Sequence, residues 1–325
     1  MKLATFLTHN GRPAIGCVDH DNNTVLDLQA CHSDMFGKPH AALDSMLALI
    51  EGGEPALDLT RSLVTKAAGS PHSHALGAVR LLSPVPVPPQ IRDFSCFEKH
   101  IRGAPAGMMV LKAKLKGEQP PDLKSIKITP PEVYFKQPVY YISNRFNVIG
   151  HEADVSWPTY CEYLDFELEF GIFIGRTSKN ITAAQADRHI FGYALFNDFS
   201  ARDRQSREMD GFMGPAKGKS FDTGNAIGPW IVTADELPDV SNLKASVSVN
   251  GEVWAASTTA NMLHSFEDMI AYVSDSETLH AGEFFGTGTI GGCCGLEMDR
   301  WLKPDDVVEL RIDGLGVLRN RVVRK

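Results

Sequence analysis

Asp165, Glu167 and Glu169 occupy alternate positions of the run LDFELEFGIFIG, Leu164–Gly175. Side chains on a β-strand alternate between its two faces. The spacing therefore puts the three acids on one face, followed by Gly171 and Phe173. The other face is unbroken: Leu164, Phe166, Leu168, Phe170, Ile172 and Ile174. Such an apolar face implies that the strand is buried on that side. Three like charges in a row then allow two readings. Either the acidic face is open to water, as strand faces often are, or a cation sits among the carboxylates. Same-face neighbours lie about 7 Å apart. Glu167 and Glu169 can lean together onto one divalent ion at metal–oxygen distances of about 2.0–2.6 Å.

Other residues could complete such a centre. Asn197-Asp198 closes the apolar run YALF, at the point where a buried strand is expected to meet solvent. Lys217 and Lys219 lie in GPAKGKSFDTGNAIGPW, a glycine-rich stretch that lets backbone approach a ligand closely. His100 follows Asp93 by seven residues, and GTGTIGG offers the hydroxyls of Thr287 and Thr289. Each has an ordinary alternative. A lone histidine is more often structural than a general base, a lone lysine is usually a solvated charge, and GTG is usually a turn.

The elements that must position these groups begin with two strands, over 2–7 and 13–28, with a hairpin turn at Asp21-Asn22-Asn23. Helices are predicted over 41–51 and 57–68, ending at Gly52-Gly53 and Gly69. LLSPVPVPPQ, with four prolines in ten residues, is a stiff connector. It sets a boundary near residue 80 between a small N-terminal α+β unit (1–80) and a large domain (81–325). In the large domain a helical stretch reaches Lys116, and the polar, proline-rich 117–132 reads as a surface excursion. Short strand-like runs follow: VYFKQP, 164–174, YALFNDFS, WIVTA, and hairpins turning at Asn250-Gly251 and Asp313-Gly314. Two helices are predicted: TAAQADRHI with Thr182 as N-cap, and SFEDMIAYVS with Ser265 and Asp268 at capping-box spacing. The pattern is α+β and mainly antiparallel β, with no internal repeat and no nucleotide-binding glycine motif.

At 325 residues, 43% hydrophobic and 22% charged, the chain is ordinary globular protein. Its formal charge of −8 and lack of any basic run argue against a nucleic-acid partner. No segment has the apolar length of a membrane span or the form of a signal peptide. Six cysteines without CxxC spacing fit reduced thiols, which points to the cytoplasm.

Taken together, LDFELE, FNDFSARDRQ, GKSFDTGNAIGPW, GTGTIGG and the hairpin IDGLGVLRN resemble the fumarylacetoacetate hydrolase superfamily over about residues 91–325. The resemblance implies a mixed β-sandwich roll with a small N-terminal domain. It also implies a homodimer, a divalent cation and small-molecule oxo-acid or diketone substrates. Carried over motif by motif, it implies Asp93, Glu167, Glu169 and Asp198 as ligands of Mg²⁺, with Ca²⁺ or Mn²⁺ possible. It implies His100 and Lys219 as catalytic groups, and Tyr141, Gln205 and Thr289 at the substrate. The spacing DFxxxxxH from Asp93 to His100 is closest to the fumarylacetoacetase branch.

Smaller superfamily members carry His-x-x-Glu, but here Gly103 stands three residues after His100. The branch's late glutamate corresponds to Glu297 in CGLE, and Glu98 is the competing partner for the histidine. Asp165 is left as a supporting residue, and Met209 replaces a second substrate tyrosine. The implied activity is hydrolysis of a C–C bond in an acylpyruvate-type acid. Water would be activated by His100, and the enolate stabilised by the metal and Lys219. Oxaloacetate-type decarboxylation, hydration or isomerisation is the alternative, and a non-catalytic oxo-acid-binding protein a third.

Overall fold

A computed structural model describes residues 1–67 and 69–324. The fold is α+β, organised by a 12-stranded sheet whose main path runs Ser73–Ala75, Thr24–Asp27, Pro13–Asp19, Lys2–Leu7, Asn225–Thr233, Ile190–Asp198, Leu168–Ile174, Phe284–Gly286, Ile91–Phe94 and Tyr140–Ser143. Most neighbours are antiparallel. The pairing of Phe284–Gly286 with Ile91–Phe94 is parallel. Strand Lys2–Leu7 pairs with Asn225–Thr233 through Lys2↔Val232 and Leu3↔Ile231, so the N-terminal hairpin and the larger region share one sheet.

Strand Leu168–Ile174 lies at the centre and is buried on both faces. Leu168, Phe170, Ile172 and Ile174 join a core with Val247, Leu310 and Leu318 of a five-stranded sheet. On the opposite face Phe173 belongs to a second core that also takes in Leu49, Ile50 and Leu63 of helices Met46–Glu51 and Gly53–Lys66. Those helices cover only one end of the face. The acids occupy the other end, and they are not solvated: Asp165, Glu167 and Glu169 are 0%, 4% and 1% exposed.

The acidic run is also not one strand. Leu164–Asp165 pairs with Ser200–Ala201, and the ladder resumes only at Leu168. Between them the Phe166 N–H donates to the Asp165 carboxylate (2.8 Å) and the Glu167 N–H to Asn197 Oδ1 (2.9 Å). Side chains take over the backbone donors that the ladder would otherwise satisfy.

Other expectations are corrected in detail. The predicted helix 41–51 divides into a short 3₁₀ turn, Ala41–Leu43, and Met46–Glu51, because Ser45 caps a fresh start by accepting from the Ala48 N–H. The next helix begins earlier than predicted, at Gly53, and Ala68, its expected last residue, lies outside the described residues. VYFKQP is not a strand: Val133–Lys136 is a helical turn. Thr182 stands at an N-cap position, but its hydroxyl donates to Gln185 rather than capping the backbone. Helix Leu28–Phe36, missed for lack of a clear apolar period, is capped by Asp27 and stopped by Gly37 at φ 72°. Ser265 and Asp268 do form their reciprocal capping box. All six cysteines are free and buried.

The shared sheet makes the N-terminal region part of the large core. A chain cut to residues 81–325 would uncover Phe173, Phe196, Ile227 and Ile231 together. It is expected to aggregate or to unfold without a cooperative transition; a sharp melt near that of the full chain would overturn this.

Candidate active site

Three carboxylates converge from three strands of the large sheet, with Phe284–Gly286 lying between two of them. Asp93 comes from Ile91–Phe94, Glu169 from Leu168–Ile174, and Asp198 is the last residue of Ile190–Asp198. Each offers an oxygen, and these oxygens lie within 4.8 Å of one another. Gly286 makes the approach possible: a Cβ there would sit 2.7 Å from Asp93 Oδ1 and 3.2 Å from Glu169 Oε2. The Gly288 N–H reaches Asp93 at 3.2 Å, and the Thr289 hydroxyl reaches Glu169 at 3.4 Å. Even so, Glu169 Oε2 and Asp198 Oδ1 are buried without any hydrogen-bond partner.

Burial first, and then mutual repulsion, raise the pKa of Asp93 and hold that of Glu169 well above the usual carboxylate range. Asp198 is raised as well, chiefly by burial, although Lys219 pulls the other way. An all-oxygen set with orphaned lone pairs and uncompensated charge fits a hard divalent cation better than zinc. The residues present therefore fit the metal that the resemblance implies.

Glu167 faces different company. Its carboxylate pairs with Arg202 Nη2 at 2.6 Å and with the Lys219 ammonium. Burial opposes its ionisation, but Arg202 and then Lys219 outweigh burial and hold its carboxyl below the usual range. Lys219 also bridges to Asp198, whose carboxylate accepts from the Tyr141 hydroxyl. Gln205 Oε1 accepts from Arg202 Nη1 at 2.8 Å. The structure thus groups Asp93, Glu169 and Asp198, and sets Glu167 one ammonium group away as the counter-ion of two cations.

His100 lies in the first turn of the long helix Glu98–Leu115. Its Nδ1 is 3.1 Å from Glu297 Oε2, and its Nε2 is 3.7 Å from Glu167 Oε1. Glu98 turns away and pairs with Arg102. Glu297 is itself held: both oxygens accept from the Gly292 N–H at 3.0 Å, and the Cys294 thiol donates at 3.2 Å. Gly103 now has a physical role. A Cβ at 103 would stand 2.5 Å from Glu297 Oε1, and one at Gly107 would stand 2.1 Å from the Leu296 carbonyl oxygen. The late glutamate fills the space that a side chain three residues after the histidine would need.

Sequence reasoning missed Arg202. It is fully buried and pairs with Asp165 as well as Glu167. Asp165 in turn accepts from the N–H groups of Gly295 (2.7 Å) and Leu296 (2.9 Å), the residues just before Glu297. A signal was available, since two acids beside a core strand require a buried cation, and SARDRQ supplies one.

Two expectations follow. Gly286→Ala should weaken Mn²⁺ binding about 10- to 100-fold, as loss of support around a metal site does, with the fold kept; unchanged affinity by titration calorimetry would remove the carboxylate trio as the site. For His100, burial lowers the pKa but the Glu297 charge outweighs it, so the net shift is upward. The imidazole then stays protonated to higher pH than an ordinary one. Glu297→Gln, and Gly103→Ala by displacing Glu297, should both move its titration to lower pH in NMR; an unmoved midpoint would show that Glu297 does not set it.

Compared with known proteins, residues 92–323 match the model of the fumarylacetoacetate (FAA) hydrolase C-terminal region. The oxaloacetate tautomerase YisK of Bacillus subtilis (strain 168) is 28% identical over 329 residues, spanning 99% of this chain and 100% of that protein. A 5-carboxymethyl-2-hydroxymuconate delta-isomerase from Mycobacterium smegmatis superposes with a TM-score of 0.68 at 26% identity, over 100% of both chains. A maleylpyruvate hydrolase from Sphingobium sp. SYK-6, solved with manganese(II) and pyruvate, gives a TM-score of 0.71 at 22% identity, covering 100% of this chain and 99% of that one, and shows the shared fold. A tautomerase, an isomerase and a hydrolase do not single out the fumarylacetoacetase branch. With the family match running over most of its length, the chain belongs to the fumarylacetoacetate hydrolase family of enzymes.

Proposed function

We propose that the protein hydrolyses a C–C bond in an acylpyruvate-type 1,3-diketo acid. The observation that carries this reading is the His100–Glu297 pair, part-buried beside Glu167 rather than open to solvent. Hydrolysis needs a base to activate water, and an imidazole whose Nδ1 is fixed by a carboxylate leaves Nε2 as the acceptor. That Nε2 points toward Glu167 and the Lys219 ammonium beyond it.

Asp93, Glu169 and Asp198 would hold Mg²⁺, or Ca²⁺ or Mn²⁺, with Glu167 as the fourth candidate ligand. The ion, when bound, polarises the substrate's paired oxygens. The chain's own groups do the rest. His100 takes a proton from water, and Glu297 stabilises the imidazolium. Hydroxide adds to the acyl carbonyl, and the C–C bond breaks with its electron pair passing to the pyruvate enolate. Lys219 and Arg202 offset the developing negative charge. The imidazolium returns its proton to the enolate carbon, giving pyruvate and a carboxylic acid. Tyr141, Gln205 and Thr289 orient the substrate by hydrogen bonds, and Met209 leaves its far end less polar than a tyrosine would. A homodimer in the cytoplasm belongs to the same proposal; among the described residues no helix is long and apolar enough to cross a membrane.

A second reading, keto–enol tautomerisation of oxaloacetate, is favoured by the full-length likeness to a tautomerase. It needs only a proton moved by His100 from the enol oxygen to the carbon of the substrate, with no attack by water and no C–C cleavage. Product NMR with Mg²⁺ and a panel of acylpyruvates and oxaloacetate separates the two. We expect cleavage to pyruvate, reduced about 10²- to 10⁴-fold in His100→Ala with Mn²⁺ binding kept, while Glu169→Ala loses the ion. Unchanged cleavage in His100→Ala would remove the base assignment, and tautomerisation without any cleavage would establish the second reading.

A further inference from the structure

A cleft of about 1090 Å³ opens between helix Glu98–Leu115 and the excursion 117–132. It is built, not a loose gap. Arg102 Nη1 donates to the Ile128 carbonyl at 2.8 Å and ties the excursion to the helix. Asp122 accepts from the Lys124 N–H and fixes the 3₁₀ turn Leu123–Ser125. Ala106 and Val110 on the helix face Leu123 and Ile126 across an apolar floor.

Its charge is unbalanced. Lys99, Lys124 and Lys127 line the walls, and none has a salt-bridge partner among the described residues. Two of the acids of the same walls are already paired with cations: Asp299 takes Lys114 at 2.6 Å, and Glu297 takes His100 and the Gly292 N–H. Asp122, which accepts the Lys124 N–H of its turn, is left against three lysines. Arg102 is occupied by Glu98. Three unpaired ammonium groups over an apolar floor stand out on a chain of formal charge −8.

The cleft touches none of Asp93, Glu169 or Asp198, and meets the candidate active site only at Gly103 and Glu297. Lys99 forms a second link. Its stem lies against Gly291, where a Cβ would come within 2.4 Å of Lys99 Cβ, and its ammonium lies 2.7 Å from a Cβ placed on Gly292. The Gly292 N–H is the donor that holds both oxygens of Glu297.

We propose that this cleft is a second small-molecule site, for an organic anion with an apolar body, whose occupancy reaches the His100–Glu297 pair through Lys99 and Gly292. A carboxylate or phosphate head pairs with the lysines while the body covers the apolar floor, and the volume suits a small molecule. Binding stands apart from the proposed hydrolysis; only the importance of the link to His100 rests on that reading.

The test is calorimetry on the full chain with 1-naphthyl phosphate and 1-naphthoate, beside inorganic phosphate as head alone and 1-naphthol as body alone. Both amphiphiles should bind about tenfold or more tightly than either part, and the tighter of the two identifies the preferred head group. The double variant Lys124→Glu/Lys127→Glu should weaken them at least about tenfold without a change in melting temperature. Glu169→Ala should bind them normally. No binding, binding indifferent to the two lysines, phosphate binding as well as the amphiphiles, or loss in Glu169→Ala would each overturn the site. For the link, the Gly292 amide resonance should shift on saturation, and a stationary resonance would overturn the coupling. None of these readouts uses turnover, so they stand or fall independently of the reaction assigned.

Discussion

Arg202 is the joint on which the two halves of the site depend. A guanidinium in the core is costly unless its donors are met by charge. Here Asp165 and Glu167 meet them from one side and Gln205 from another. Asp165 passes the constraint on to the backbone before Glu297, and Glu167 passes it to Lys219. His100 with Glu297, and the carboxylates with their lysine, are thereby fixed relative to each other by one planar cation. Lysine could not replace it, since a point charge lacks the fork that engages two carboxylates and an amide at once.

Glycines do the complementary work of removing matter. The carboxylate trio closes only because position 286 has no side chain, and Glu297 reaches His100 only because position 103 has none. Close approach in both places is obtained by subtraction, so even the smallest substitution there meets a carboxylate. The groups drawn in by these gaps are ionisable and poorly solvated, an arrangement that stability alone would not favour.

Much of this is visible in the residues alone, for definable reasons. Alternation marks the strand and its acids, and the hairpins at Asn250-Gly251 and Asp313-Gly314 are local turn chemistry. Their positions therefore follow from short-range rules. Periodicity does not reveal that both faces of Leu168–Ile174 are covered, because the N-terminal helices that bury Phe173 come from far away in the chain. The break at Phe166-Glu167 escapes for a similar reason: it depends on Asn197 supplying an acceptor from a neighbouring strand. Val133–Lys136 misleads because a single helical turn carries too few residues to show a period. The division of labour between Glu167 and Glu169 is likewise tertiary. Identical neighbours on one face acquire opposite electrostatic surroundings from Arg202 and Lys219 on one side and from Asp93 and Asp198 on the other.

The split origin of the acid–base pair has a consequence for timing. His100 rides on a helix, whereas Glu297 is anchored to the sheet scaffold through Asp165 and the Gly292 amide. A helix displaced by the length of one hydrogen bond leaves the imidazole without its partner. On the hydrolytic reading proposed here, seating of that helix and readiness to activate water would then be a single event, and a chain with the helix out of place would be idle.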